Sequence, residues 1–423
     1  MKSKINLSFK GLFSNYAGLP SSIYILFVAR IINRFGGFVH AFLAMFLSMY
    51  LGMSASEMGN YVLMAGLAGF LGAIVGGPLG DKLSRKKVYL TAQATAALLF
   101  LPCAYLAYTG QYKAIPLYLI GSSFFSSIVR PVNTAMVTDL VHKDDRKRAF
   151  SLLYLGINIG VALGPLVAAI LLKQYLVWFF LGDAITTFVA VILVGVFVEE
   201  HRVTEEEINA IDHNDAESQE HGNLIMAFIR RPIILIFVVF SVITSMMYAQ
   251  VGFAFPLLMA DLYGDSGPDM YARLTMFNAV VVIIFTSVIH YVTKNIKPIY
   301  NIAMAALLYA VGLGMMAIVD NIWLLVIATY IWTIGEIQAV TNQNVFLMGH
   351  TPINYRSRFL AVISIITSVG YIVSPKIGGI ILDAASQKVL WSIVFVGGLI
   401  AAVGYVMIGL YEGRKENNSK IEI

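Results

Sequence analysis

A single cysteine, Cys103, serves a chain of 423 residues, and it sits inside an apolar run. No internal disulfide is possible, and cysteine usage leaves the redox compartment open. Charge is scarce as well. Asp, Glu, Lys and Arg make up 13% of the residues, about half the quarter that soluble domains carry. Motifs for enzyme chemistry are missing too. The chain has no Gly-rich phosphate loop, no His/Glu or Cys cluster at metal-ligand spacing, and no Gly-x-Ser-x-Gly elbow. These absences argue against a membrane-embedded enzyme and an ATP-driven pump, and no metal or cofactor is expected. The start Met1-Lys2-Ser3-Lys4 is basic, but no small-residue cleavage site follows the first apolar run. That run is expected to be a retained helix and not a removed signal peptide.

Hydrophobic length is what the chain has in abundance. Hydrophobic residues make up 58% of it, and the mean hydropathy is +0.77. About 20 apolar residues cross the hydrocarbon layer as a helix. Runs of that kind, bounded by charge, Gly, Pro or Asn clusters, fall near 22–51, 57–80, 87–108, 114–140, 148–173 and 176–198. A second set falls near 233–262, 271–293, 298–319, 322–349, 357–382 and 388–411. We number them spans 1 to 12. The expected fold is all-α and integral to a membrane, with twelve transmembrane helices. Residues 1–198 would form one six-helix bundle, 199–232 a linker, and 233–423 a second bundle with a short tail.

The linker holds the chain's long polar stretch, Glu199–Asn223, with nine of the 24 acidic residues. It has no apolar face, and it is short for a folded domain, so it reads as a flexible segment. Orientation follows from the cations. With both termini inside, the cytoplasmic segments hold 21 of the 29 Lys and Arg, and the outer loops hold Lys113, Lys173, Arg273 and Lys388. Cations concentrate on the cytoplasmic side, which places both termini there. The net charge of +5 is therefore read as topology, and no nucleic-acid partner is expected.

The most concentrated signal is Gly77-Pro78-Leu79-Gly80-Asp81-Lys82-Leu83-Ser84-Arg85-Lys86-Lys87, a basic hairpin between spans 2 and 3. Its pattern resembles the loop between helices 2 and 3 of the major facilitator superfamily of transporters, with Ser84 where that family usually has glycine. The resemblance extends over the whole chain, through the arrangement of six helices, a linker and six more. It implies two pseudo-symmetric bundles with a substrate site near the midplane between them. It also implies a conformational latch at Gly77, Asp81, Arg85 and Lys86, with Asp81 contacting a neighbouring helix end. In span 5, Gly156-x3-Gly160-x3-Gly164-Pro165 forms a flat stripe for close helix approach, and Pro165 interrupts the hydrogen-bond ladder. This motif resembles the helix-5 motif of the superfamily's antiporters, although Val167 and Ala168 stand where that motif continues in paired glycines.

Charges inside membrane spans cost about 2.5–3.5 kcal/mol even on the lenient insertion scale, and they mark functional sites by default. Span 1 carries Arg30, Asn33, Arg34 and His40, interrupted by Gly36-Gly37. Spacings of three and four residues place the first three on one side of a helix. Span 4 carries Arg130-Pro131 with Asn133, and resembles the superfamily's helix-4 arginine motif, implicated in proton coupling. Span 10 carries Glu336 near its middle, followed by Gln338, Thr341 and Asn342, and span 7 offers Thr244, Tyr248 and Gln250. A Glu whose surroundings alternate between apolar walls and an arginine can load and release a proton. Glu336 is the expected proton carrier, with Arg130 or Arg34 as its partner. Arg30, Asn33, Arg34, His40, Asn133, Thr244, Tyr248, Gln250, Gln338 and Asn342 are expected to line a substrate cavity. A lone His inside a span, such as His40 or His290, is more often a packing residue, and Asp139 and Asp183, near span ends, read as capping or loop contacts.

The expected function is a proton-coupled secondary transporter working by alternating access, exporting small amphipathic molecules in the manner of multidrug antiporters. Three core arginines face one glutamate, and span 1 has no carboxylate of the kind that exporters of cationic drugs place there. That balance leaves room for anionic or zwitterionic substrates. Asn33-Arg34-Phe35, Phe150 to Tyr154 with Ile157-Asn158-Ile159-Gly160, and Gly335-Glu336 resemble fragments of the proton-coupled oligopeptide transporters. The alternative is therefore a symporter of peptides or other zwitterions. The expected partners are a small-molecule substrate and the bilayer of the cytoplasmic membrane, with the protein acting as a monomer driven by the proton gradient.

Overall fold

The computed structural model describes residues 16–142, 145–199, 231–351 and 356–421, with the backbone alone at 81, 147, 356–359, 361 and 415–421. The linker expected at 199–232 lies, from 200 to 230, outside the described residues. Everything regular among the described residues is helical. The chain divides into two compact units, Met1–Phe46 with Met64–Ala210, and Leu47–Leu63 with Ile211–Ile423.

In the first half of the sequence, α1 (Ser21–Phe35) and α2 (Phe38–Leu51) are the two pieces of span 1. Span 2 is α3 (Ala55–Lys82), and span 3 is α4 (Arg85–Leu98) followed by α5 (Phe100–Tyr108). Then come α6 (Ile115–Leu140), α7 (Arg146–Gln174) and α8 (Leu176–Phe197). The break between α1 and α2 falls at Gly36-Gly37, where a Cβ on Gly36 would lie 1.7 Å from Thr186 Oγ1 of α8. A side chain at that position is excluded sterically. Helix starts follow local chemistry. Ser84 ends the basic loop as the N-cap of α4, its hydroxyl accepting from Lys87 N at 3.1 Å. That contact satisfies one of the orphan N–H groups of the first turn.

The second half runs α9 (Pro232–Gly252), α10 (Ala254–Tyr263), α11 (Gly267–Thr293), α12 (Pro298–Gly314), α13 (Ile322–His350), α14 (Arg356–Ala384) and α15 (Gln387–Ile421). Proline opens α9, α11 and α12 within the first turn, where a missing N–H costs nothing. Asn321 caps α13 by accepting from Leu324 N at 2.9 Å. Among the described residues, eleven helical stretches are long and apolar enough to cross a membrane, and one of them, Pro232–Thr293, is 62 residues long.

Each unit has its own core. In the first, Ile23 and Leu26 of α1 pack with Val88 of α4, Val132 and Met136 of α6, Leu152 of α7 and Val194 of α8. In the second, Phe237 of α9, Ile302 of α12, Phe346 of α13 and Tyr405 of α15 meet, with the Phe237 and Phe346 rings stacked at 4.6 Å. Large apolar side chains also point outward, among them Leu117, Ile192, Val196, Val292 and Met407. In water such a surface would aggregate. In a bilayer it is the lipid-facing side of the helices.

Candidate functional site

Two polar clusters stand out among the described residues, one in each unit. The first is built around the broken span. Asn33 of α1 donates from Nδ2 to Thr187 Oγ1 of α8 at 3.2 Å. Arg34 closes the last turn of α1, where a cation complements the negative end of the helix dipole. It lies in electrostatic range of Arg30, of Arg130 on α6, and of Asp183 on α8. Arg34 and Arg130 are exposed, Arg30 half-buried and Asn133 buried. The break itself supplies a partner for Asp183. Because α1 stops at Phe35, the first amides of α2 have no helical acceptor, and Asp183 Oδ2 accepts from Val39 N at 3.2 Å. Asp183 is buried, 6% exposed, in the third turn of α8. It therefore does cap a helix, as its type and position suggested, but the helix is α2 and the site lies inside the bundle.

Position of the arginines depends on glycine. The stripe Gly156, Gly160 and Gly164 on α7 lies directly against α1. A Cβ on Gly156 would meet the Phe27 ring at 2.9 Å, one on Gly160 would lie 2.7 Å from Ile31 O and Arg34 Cβ, and one on Gly164 would lie 2.5 Å from Phe35 O. Pro165 lies within α7. The stripe's partner is thus the helix that carries Arg30 and Arg34, in the same unit. His40, on α2, is exposed and in electrostatic range of Arg34.

The second cluster centres on Glu336, in the middle of α13. Its Oε1 accepts from Tyr248 Oη of α9 at 2.7 Å, and its Oε2 accepts from Asn278 Nδ2 of α11 at 2.9 Å. Asn278 also donates to Thr333 Oγ1 at 2.9 Å, and Thr333 donates to Thr329 O at 2.6 Å. The Tyr248 ring is fixed by Tyr309 and Trp332, with centroids at 5.9 and 6.4 Å. Both donors to the carboxylate are neutral. The arginines expected to partner it, Arg34 and Arg130, belong to the first unit.

Other residues expected to line a cavity have separate attachments. Thr244 bonds back to Phe240 O and Ser241 O on its own helix. Gln250 donates to Ser374 O and Ser374 Oγ on α14 at 2.9 and 2.7 Å. Asn342 donates to Gln338 O at 2.9 Å and accepts from Asn301 of α12 at 3.0 Å. Gln250 Oε1 and Gln338 Oε1 are buried acceptors with no partner among the described residues, a condition that a bound donor relieves.

At the basic loop, Arg85 pairs with Asp139 and donates to Ala135 O at 3.0 Å, tying the start of α4 to the last turn of α6. Asp139 thus makes the helix-end contact expected of it. Gly77 has open space around its Cα, and Lys86 is half-buried. The side chain of Asp81 lies outside the described residues.

Sequence reasoning missed Asn278 and Thr187. Asn278 is an amide within a largely apolar run and Thr187 follows another threonine, Thr186, and an amide or hydroxyl is a weaker flag than the charge that led to Glu336.

The sequence model of the family described as Major Facilitator Superfamily matches residues 26–375. A protein of Planococcus maritimus, "Na(+), Li(+), K(+)/H(+) antiporter", is 22% identical over 372 residues, covering 82% of this chain and 86% of its own length. "Enterobactin exporter EntS" of Shigella flexneri is 30% identical over 121 residues, 28% of this chain and 30% of the exporter. Among solved structures, "peptide transporter POT in complex with sulfate" superimposes with a TM-score of 0.68 at 15% identity, over 94% of this chain and 96% of that one.

Proposed function

We propose, for a chain that belongs to the major facilitator superfamily, a proton-coupled antiporter that exports small amphipathic molecules by alternating access. The observation that carries this reading is the Glu336 site, a carboxylate in the middle of a membrane helix held by two neutral donors, Tyr248 and Asn278. A bare charge in the hydrocarbon layer is costly, and binding a proton removes it. A neutral Glu336 can donate to Tyr248 Oη, since a phenol oxygen also accepts, while its carbonyl oxygen goes on accepting from Asn278 Nδ2. Both contacts to the group can therefore persist in either protonation state. The similarity to a protein named as a cation/H+ antiporter, and in part to one named as an exporter, supports antiport and efflux.

In this reading the 62-residue stretch Pro232–Thr293 crosses twice. At about 1.5 Å per residue it spans roughly three times the hydrocarbon thickness. Twelve crossings result, and the cation distribution sets both termini in the cytoplasm. Asp81 with Arg85 and Lys86 times the cycle at one membrane face.

A second reading, proton-coupled uptake of peptides or other zwitterions, is favoured by one specific observation. Arg30, Arg34 and Arg130 share one electrostatic neighbourhood in which Asp183 is the acid coupled to Arg34, so a substrate carboxylate has a cationic seat. Flux in proteoliposomes tests the main reading. A protonophore should collapse it, and Glu336→Gln should uncouple it from the gradient. Transport insensitive to both refutes proton coupling. Thermal-shift screening against cationic, anionic and zwitterionic compounds separates the two readings, because a ligand that binds only the folded state raises its stability.

A further inference from the structure

Helix α3 starts with an unusually complete set of partners. Ser54 and Glu57 form a reciprocal cap, Ser54 N donating to Glu57 Oε2 at 2.8 Å and Glu57 N donating to Ser54 Oγ at 3.3 Å. That pair covers the third amide of the first turn. The first two amides are taken by another helix. Ala55 N donates to Asp383 Oδ1 at 2.9 Å and Ser56 N donates to Asp383 Oδ2 at 2.8 Å. Both oxygens of the carboxylate are thus spent on the end of α3.

Asp383 gains nothing from its own helix. It occupies the last turn of α14, which ends at Ala384, and a negative charge is repelled by the negative end of the helix dipole. At the start of α3 the same charge meets the positive end of a dipole. The backbones beside it are in direct contact. A Cβ on Gly59 would lie 2.5 Å from Pro375 O, and one on Gly379 would lie 2.2 Å from Ala55 O. Two glycines on facing helices let the carboxylate reach two amides at once. The residues involved on α3 group with the second unit, whereas the rest of α3, from Met64 on, groups with the first. The clasp therefore grips the first turn of a helix whose last turns, Gly77 to Lys82, belong to the basic segment expected as a loop, which the structure narrows to Leu83-Ser84 between α3 and α4.

We propose that Asp383 is a releasable conformational clasp, which holds one access state by gripping the start of α3 and lets go in the other. This rests on the alternating-access reading given above. It makes α3 a lever held at both ends. The basic loop acts at its finish, and Asp383 acts at its start. An exposed contact of modest strength suits that role, since a clasp that opens in every cycle must not be tight.

Distance measurements between spin labels test it. Labels go on Cys at Asn60 and Ala385, both exposed, in a Cys103→Ala parent. The parent should show a short and a long population. In Asp383→Ala the ratio of long to short population should rise about 1.4- to fivefold, the range for an exposed charge contact. Asp383→Asn, which keeps the volume and one acceptor, should fall between. Gly379→Ala, which disturbs the seam without touching the carboxylate, should shift the populations in the same direction. Identical distributions in the parent, Asp383→Ala and Asp383→Asn overturn the clasp while leaving alternating access standing. A transporting parent with one unchanging distance at pH 5 and pH 8 overturns both.

Discussion

Replacing Gly160 by alanine tests whether the α1–α7 seam sets the position of the arginines. The added methyl would lie 2.7 Å from Ile31 O, 2.7 Å from Arg34 Cβ and 2.8 Å from Phe35 N, whereas ordinary contact begins at 3.4 Å. Two of these three atoms belong to backbone, which has no rotamer to escape into. The helices must part by several tenths of an ångström over the whole seam, because Gly156 and Gly164 fix the same spacing on either side. Overpacking of this kind costs about 1–3 kcal/mol. The gain in helix propensity from Gly to Ala, about 1 kcal/mol, works in the opposite direction, so the net loss should be about 0–2 kcal/mol. Gly349→Ala supplies the control, as a helical glycine with no atom within 4 Å of its Cβ. It gains the propensity without the clash.

The assay is apparent melting in detergent at one fixed scan rate, because membrane proteins seldom unfold reversibly. Gly349→Ala should melt at or above the parent and Gly160→Ala below Gly349→Ala, the pair separated by about 1–3 kcal/mol. Affinity for an anionic or zwitterionic ligand should fall in Gly160→Ala alone, since Arg34 rides on the displaced helix. Equal melting of the two variants, with equal affinity, would refute the claim that glycine sets this spacing.

Three further outcomes are expected. Ser84→Ala should lower stability by about 1 kcal/mol while Ser84→Gly costs only a few tenths, an order that melting would reveal and that reverses if the residue serves only as a spacer. Arg85→Ala and Asp139→Asn should each lower apparent stability by no more than about 1 kcal/mol, the pair being partly exposed. The double variant should cost less than the two together in a double-mutant cycle, and strict additivity would show that the pair is not coupled. Asp183→Leu leaves Val39 N buried without an acceptor and should cost about 1–3 kcal/mol. Asp183→Asn keeps an acceptor there and should retain most of the melting temperature, while anionic ligands should bind more tightly because Arg34 loses its acidic neighbour.

The helices were legible in the chain because their signal is local. The expected spans correspond to helices or pairs of helices displaced by a few residues, except that α15 continues past the expected end near 411 to Ile421, and the break at Gly36-Gly37 lies where the run is interrupted. Glu336 drew attention for a related reason, since a carboxylate inside an apolar helix is costly. Its partners were not. Tyr248 lies 88 residues away and Asn278 58 residues away, and no periodicity within a span encodes which faces of three helices converge. Asp183 shows the limit most clearly. Distance along the chain from a span end suggested a peripheral cap, whereas its acceptor role was created by a helix break 144 residues away. Ser84 looked like a departure from a motif until its hydroxyl was seen closing the first turn of α4.

The break in span 1 carries a consequence for how this sequence can drift. Thr186 fills the space that any side chain at position 36 would need, so position 36 cannot change alone, whereas a smaller residue at 186 meets no clash. Because Thr186 Cβ itself would lie 2.4 Å from the added atom, a side chain at 36 requires glycine at 186. Relatives with anything larger than glycine at 36 should therefore carry glycine at 186, a one-way dependence readable from an alignment without any measurement on the protein.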